Sequence, residues 1–263
     1  MYKDVVYNGL IFTIYTPQHS LIEITRDDEL CSETISELFI PHFLPTGERI
    51  DYLSKCFCRL PVDKVVIDDG ILVEARAFYK TKIKEVVWPK SCTAIPNSCF
   101  MESFVEKVSN IENVIEIGVG AFMKSEVAEF VWPSGCTVIP QGCFMSSPLT
   151  KISNIDHVVT IKAYAFECCN FESFVWPSNC PIVPVQCFSG NPIKSISNIT
   201  NISVIKTNAF GHLRGDFSVD LSGSAITQME VGAFSCCDPD NIVMPYYVSE
   251  SDKENALRVE EII

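Results

Sequence analysis

The sequence predicts a repeat solenoid of the α/β class, with about nine coils of 22 residues that each add one layer. Three observations carry this. The stretch EFVWPSGCTVIPQGCF (129–144) has close copies 44 residues upstream, EVVWPKSCTAIPNSCF, and 44 downstream, SFVWPSNCPIVPVQCF. A phenylalanine preceded by Ala or Cys returns at Phe57, Phe78, Phe100, Phe122, Phe144, Phe166, Phe188, Phe210 and Phe234, and every step from Phe78 to Phe210 is 22 residues. The apolar residues lock to the same register. A constant period of this size marks coils that bury their apolar faces against their neighbours in a stack.

Within a coil, each element follows from its distance to the phenylalanine. Seventeen residues before it stand Ile83, Val105, Val127, Leu149, Phe171 and Ile193; fourteen before stand Val86, Val108, Phe130, Ile152, Phe174 and Ile196. This region predicts a short parallel strand, such as Glu85–Trp88 or Lys107–Asn110, with alternate side chains pointing inward. Five before the phenylalanine stand Val73, Ile95, Ile117, Ile139, Ile161, Val183 and Ile205, at the end of a second extended piece. The restriction to Ala or Cys directly before the phenylalanine predicts a tight interior corner, held in one turn of α- or 3₁₀-helix.

Two coil types alternate, so the full unit is 44 residues. One carries Val-Trp-Pro, then Cys, then Cys-Phe; the other carries Ser-Asn-Ile, then Val or Ile, then Ala-Phe. Trp88, Trp132 and Trp176 share a register position with Asn110, Asn154 and Asn198. A bulky indole in one layer calls for smaller groups in the layers beside it. Either the three asparagines point inward and satisfy their amides on the backbone of the adjacent turn, or the strand shifts by one residue and Ile111, Ile155 and Ile199 point inward.

The pattern reads L-x-x-I-x-I-P-x-x-V-x-x-I-x-x-x-A-F over roughly residues 36–237. It resembles the BspA-type leucine-rich repeat family. The resemblance implies a leucine-rich-repeat superhelix with parallel strands on the concave face, a role in binding proteins or surfaces, and no catalytic residues. The strict alternation of two coil types departs from the simple family pattern.

The ends do not fit the register. Residues 1–35 read as an N-terminal hairpin cap, GLIFTIYTPQHSLIEIT, plus a connector that shields the first coil's edge. Residues 238–263 read as a C-terminal cap with a short helix, opened by Ser251 and Glu254 at capping-box spacing and given a weak apolar side by Leu257, Val259, Ile262 and Ile263. Residues 36–237 are the repeat domain.

Composition narrows the function. The net charge of −13 argues against a nucleic-acid groove or an anionic membrane surface. Apolar stretches are broken too often for a transmembrane helix, so no membrane insertion is expected. The first residues have no small-residue cleavage site and read as strands rather than a signal peptide. Of the 13 cysteines, Cys92, Cys136 and Cys180, like Cys99, Cys143 and Cys187, recur two layers apart. That separation is about 10 Å, too far for a disulfide. They read as small buried apolar groups in a reducing compartment. Cys168–Cys169, Cys236–Cys237 and Cys56 with Cys58 lack a partner pair at zinc spacing, so no metal is expected. His19, His42, His157 and His212 lie in no nucleophile or metal motif, and His157 is expected to be solvated in a turn. No cofactor and no catalysis are expected.

The candidate binding surface is the set of outward strand positions on the concave face. Fifteen residues before the phenylalanine these are Glu85, Lys107, Glu129, Lys151, Ser173 and Ser195, a row that sets opposite charges on adjacent strands. Thirteen before they are Val87, Ser109, Val131, Ser153, Val175 and Ser197, short and uncharged. This second row is either a flat strip for a partner or simple strand propensity. Asn198-Ile-Thr200 and Asn201-Ile-Ser203 match glycosylation acceptors, but Asn198 already belongs to the repeat. Two functions fit: a surface or secreted adhesin that grips a protein or cell-surface macromolecule, as the resemblance implies, or a cytoplasmic scaffold, as the unpaired cysteines imply. Neither reading fixes an oligomeric state.

Overall fold

The computed structural model describes residues 1–26, 35–57, 60, 62–214 and 216–259. Cys58, Ile262 and Ile263, and the connector over 27–34, lie outside these. The chain forms two compact units, Met1–Val127 and Ala128–Ile263.

In the first unit, β1 (Tyr2–Tyr7) pairs antiparallel with β2 (Leu10–Tyr15), and β2 with β3 (Ser20–Arg26). The expected hairpin is therefore a three-stranded meander. β3 then pairs in parallel with Tyr52–Leu53, which pairs with Leu72–Val73. The coils stack on two strand faces. On the first, Ile35–Ile40, Val62–Ile67, Glu85–Val87 and Lys107–Ser109 form a four-stranded parallel sheet. On the second, Ala94–Ile95 pairs with Glu116–Ile117.

The second unit repeats the plan. On its first face Glu129–Val131 pairs with Lys151–Ser153, and Ser173–Val175 pairs with Ser195–Ser197. On its second face Val138–Ile139 pairs with Thr160–Ile161, while Ile182–Val183, Val204–Ile205 and Gln228–Met229 form a three-stranded sheet. A helix, α1 (Glu250–Leu257), follows the last coil. Its N-cap is Ser249, which accepts from the Asp252 backbone N–H. The cap thus sits two residues before the expected Ser251, with Asp252 in the third helical position. Ala256 is its buried residue, while Val259 lies past its end and is exposed. The α1 end docks on the last coil: Gly232 and Phe234 donate backbone N–H groups to Asn255 O (2.9 Å) and Ala256 O (2.8 Å).

The corner that carries Ala-Phe or Cys-Phe differs from the expected helical turn. The residues two before and two after the phenylalanine both have positive φ, as in Arg76 (62°) and Lys80 (56°), Ser98 (53°) and Glu102 (54°), or Tyr164 (62°) and Cys168 (54°). A helix would turn its N–H groups back into its own chain. Here the alternation aims three N–H groups at the next coil: Ser98 to Val119 O (2.9 Å), Phe100 to Ala121 O (2.8 Å) and Glu102 to Met123 O (2.8 Å). The corner is thus a third hydrogen-bonded ladder. Gly120, Gly142 and Gly232 fill such left-handed positions in other coils, where glycine carries no steric cost.

The phenylalanines stack inside the corners. Phe57, Phe78, Phe100 and Phe122 lie 4.9, 5.1 and 5.2 Å apart in the first unit. Phe166 to Phe188, Phe188 to Phe210 and Phe210 to Phe234 span 5.7, 5.6 and 5.3 Å in the second. These near-parallel rings keep close to the spacing of paired strands, so the strand ladder and the ring column reinforce one register. The Ala or Cys before each ring is buried, as the corner requires.

Candidate functional site: the outward strand face

Trp88, Trp132 and Trp176 are fully buried, and each indole Nε1 donates to the carbonyl four residues on: Cys92 O (3.2 Å), Cys136 O (2.7 Å) and Cys180 O (2.6 Å). The preceding proline opens the turn that makes this possible, with Cys136 N–H donating to Pro133 O at 3.0 Å. The indole therefore fills the layer and satisfies its own polar atom locally.

The asparagines do not occupy the matching inward space. Asn110, Asn154 and Asn198 have φ of 67°, 60° and 61° and end their strands. Asn154 and Asn198 are exposed, with Nδ2 donating to the preceding coil: Asn154 to Trp132 O (2.8 Å) and Ser134 Oγ (3.1 Å), Asn198 to Trp176 O (2.6 Å) and Ser178 Oγ (2.9 Å). The amide is satisfied on the adjacent turn, but at the rim. A wholesale register shift is absent too, since Ser109 and Ser153 pair with Val87 and Val131. The left-handed residue merely redirects the chain, which buries Ile155 and half-buries Ile111 and Ile199.

The strands place the predicted surface row by row. Glu85 and Lys107 are in register and form an ion pair of 3.2 Å. Glu129 and Lys151 are also in register, yet among the described residues no ion pair joins them. Ser173 is exposed opposite Ser195. In the inner row Val131 and Val175 are 64 % and 61 % exposed, Ser197 is exposed, and Val87, Ser109 and Ser153 are half-buried. The first unit thus brings together Glu85, Val87, Lys107 and Ser109, and the second Glu129, Val131, Lys151, Ser153, Ser173, Val175 and Ser197. On the same face a side-chain hydrogen bond with Glu37 holds the Lys64 ammonium above its ordinary pKa.

In the second unit this face is not continuous. Lys151–Ser153 and Ser173–Val175 belong to separate two-stranded sheets. The cleft between them, about 510 Å³, is lined by residues including Lys151, Ile152, Asn154, Asp156, Ser173 and Val175. Neither the gap nor its position is written in the outward rows. On the opposite face the seam coincides with prolines of the next coil. In asparagine coils, Val159 N–H donates to Thr137 O (2.9 Å) and Lys162 N–H to Ile139 O (2.9 Å). The matching residues one coil later are Pro181 and Pro184, which have no N–H to give. The second face cannot pair across this seam at those points. The seam is held at the corner and, just before the cleft, by Asn170 N–H donating to Leu149 O (3.0 Å). Phe166 N–H donates to Cys187 O (3.2 Å), and Asn191 Nδ2 to Phe166 O (2.7 Å). Arg214 reaches Gly190 O (2.6 Å), Cys169 O (2.9 Å) and Asn170 Oδ1 (3.0 Å).

The remaining candidate residues are the cysteines and histidines. Cys92, Cys99, Cys136, Cys143, Cys180 and Cys187 are buried and in no disulfide. Burial pushes the Cys99, Cys143 and Cys187 thiols well above their ordinary pKa, and Cys169 and Cys237 up to about 12. Cys168 and Cys236 are exposed. His157 differs from expectation: half-buried, its Nε2 lies 3.2 Å from Pro133 O and 3.1 Å from Cys136 O, tying an asparagine coil to the tryptophan coil before it. Sequence reasoning also missed a polar column three residues after the phenylalanine. Thr81, Ser103 and Ser147 donate to the carbonyls of Phe78 (3.0 Å), Phe100 (2.7 Å) and Phe144 (2.6 Å). Its signal is the recurring Thr or Ser at that offset. Among the described residues no group of three or more His, Cys, Asp or Glu could hold a metal ion, and no helix is long and apolar enough to cross a membrane.

A family model for the BspA type leucine-rich repeat region matches residues 71–194 and 137–256, with six copies. The chain belongs to the BspA-type leucine-rich repeat family. Solved structures of leucine-rich repeat proteins share the fold. One, described as a leucine rich cell surface protein from Faecalibacterium prausnitzii, is 18 % identical with a TM-score of 0.60, covering 92 % of this chain and 76 % of that one. Another, a leucine-rich repeat protein from Bacteroides ovatus, is 14 % identical with a TM-score of 0.63, covering 98 % and 68 %. No curated protein matches the chain. In BspA-type terms, each Val-Trp-Pro coil is a repeat whose strand ends in a buried indole, and each Ser-Asn-Ile coil is one whose strand ends at the rim.

Proposed function

We propose that this BspA-type repeat protein is a non-catalytic binding protein that grips a protein or cell-surface macromolecule with its outward strand face. The observation that carries the reading is the exposure of Val131 and Val175, 64 % and 61 %, on a row otherwise built of serine and valine. Branched apolar groups held in water on a rigid sheet are favourable to cover. In the same unit Glu129 and Lys151 stand in the neighbouring outward row and supply polar contacts at the margin of that strip. A pull-down from host or partner extracts tests this. The V87D, V131D and V175D variants are expected to lose the partners that the unaltered protein retains, and an unchanged set of partners removes the face.

An outer-surface location is supported by the F. prausnitzii neighbour, described as a cell surface protein. A cytoplasmic scaffold is supported by the eleven cysteines that form no disulfide among the described residues, since thiols persist in reducing compartments. The exposed Cys168 and Cys236 separate the two. An impermeant maleimide applied to intact cells labels them only if the protein is outside.

A further inference from the structure

We infer that the cleft between Lys151–Ser153 and Ser173–Val175 is a docking slot for an extended polypeptide segment, which adds to the sheet by backbone hydrogen bonds. The inference rests on the strand face being the binding face, and it names how that face binds.

The argument comes from where the backbone groups point. In parallel strands, successive residues direct their N–H and C=O groups alternately to the two sides. Lys151 N–H donates to Ala128 O (3.3 Å) and Ser153 O accepts from Trp132 N–H (2.9 Å), so Lys151 and Ser153 serve the strand before them. The groups of Ile152 then face the cleft. Across it, Trp176 N–H donates to Ser197 O (2.9 Å), so Phe174 and Trp176 serve the strand after them. The groups of Ser173 and Val175 face the cleft from the other wall. Two strand edges thus present unpaired donors and acceptors to one space.

A strand edge left open is a template for another strand. The cleft volume of about 510 Å³ lies within the range of ligand pockets. Its chemistry selects an extended peptide. The donors and acceptors alternate at strand spacing along the Ser173–Val175 edge. The aromatic rings nearest the slot, Phe171 and Phe174, are 1 % and 5 % exposed, so they offer no stacking platform for a sugar or base. The rim carries Glu129, Lys151 and Asp156, charges of both signs that single out no ionic ligand. The seam can hold its shape while occupied, because the corner ladder, the Phe166–Phe188 stack and Arg214 close its other side.

The probe is a phage-displayed library of unstructured 12-residue peptides, panned on the full chain. Enriched peptides are then resynthesised with single backbone N-methyl groups. The expected result is that N-methylation at alternate positions weakens binding roughly tenfold while methylation between them does little, as loss of a strand hydrogen bond requires. V175P is expected to weaken binding by a similar factor and V175T to retain it. Val175 suits this test because its N–H has no partner in the sheet and its side chain is mostly in water. Amide exchange adds a readout independent of the variants: the Ile152 and Val175 amides exchange fast in the free chain and slow when peptide is bound. If no peptide enriches over the V175P chain, or if N-methylation at every position is harmless, the slot is overturned. Peptides that tolerate N-methylation but are lost in V131D and V175D keep the strand face and remove the slot. Peptides indifferent to V131D, V175D and V175P remove both. Self-association that V175P abolishes makes a second copy of the chain the occupant and overturns the peptide assignment.

Discussion

The strand that ends in Trp132 and the neighbouring strand that leads to Asn154 run in register, with Phe130 opposite Ile152. Their last residues then part. The indole turns into the layer and bonds Cys136 O; the amide turns to the rim and bonds Trp132 O. One coil supplies bulk, and the next supplies the donor that closes the first coil's turn. His157, from the asparagine coil, adds a second tie to Pro133 O and Cys136 O. Toward the next tryptophan coil the asparagine coil is tied at the corner and by Asn170 N–H to Leu149 O (3.0 Å), while that coil's prolines remove two donors on the second face. In the second unit, then, the coils that carry Trp132 and Asn154 are sewn together on their strand face and the seam falls after them, whereas in the first unit the strand face runs unbroken from Ile35–Ile40 to Lys107–Ser109.

The sharpest way to break this comparison is to remove the bulk. W132A deletes a fully buried indole and its hydrogen bond. The expected loss is about 3–5 kcal/mol in chemical denaturation, typical of emptying a large aromatic site. No substitution of Asn154, the matching residue of the asparagine coil, should approach it. A loss below about 1 kcal/mol would mean that neighbouring rings close the space and that the indole is not what fills the layer.

Next is the thiol at the tryptophan coil's corner. Cys187 is fully buried against the Phe166–Phe188 stack, and its thiol behaves as an apolar group. C187S places a hydroxyl there and is expected to cost about 1–3 kcal/mol. C187A, which occurs naturally as Ala at the same offset in asparagine coils, is expected to cost less. If serine and alanine are equal, the corner holds a hidden acceptor and is less apolar than described.

The asparagine has a smaller, divisible contribution. N154G keeps the left-handed backbone available and removes only the amide, for an expected cost of about 1 kcal/mol, the net worth of one hydrogen bond. N154A also forces a Cβ into φ of 60°, and the cost should rise to about 2 kcal/mol. Equal losses would show that the backbone conformation carries no strain for alanine.

These predictions mark where the sequence was legible. The period, the buried rows, the enclosed tryptophans and the small residue before each phenylalanine follow from spacing, because layers of fixed register must repeat their volumes. The corner did not follow. Arg76, Ser98, Tyr164 and Cys168 are not residues that advertise a left-handed backbone, and only the ladder they support explains them. Asn110, Asn154 and Asn198 could have been read correctly, since asparagine tolerates that conformation better than most residues, but their alignment with tryptophan suggested an inward role. The two outward rows were legible as strand positions that face away from the core, although Val87, Ser109 and Ser153 are half-buried. The cleft that interrupts them was not, because the outward residues on either side of it follow the same row pattern as those on paired strands.

The smallest expected effect lies on the strand face itself, where Glu85–Lys107 forms an ion pair and Glu129–Lys151, at the same register in the next 44-residue unit, does not. Both pairs join a tryptophan coil to an asparagine coil. Lys107 is 65 % exposed, so solvent screens the first pair strongly. A double-mutant cycle with E85Q and K107Q is expected to give a coupling below about 1 kcal/mol, reduced further when salt shortens the screening length. The cycle with E129Q and K151Q should give none. If both couple equally, the charges act as a continuous ladder in solution and Lys151 is not free to meet a ligand. If only the first couples, the second unit keeps its carboxylate and ammonium unengaged beside Val131, Val175 and the cleft, where a partner's polar groups can take them.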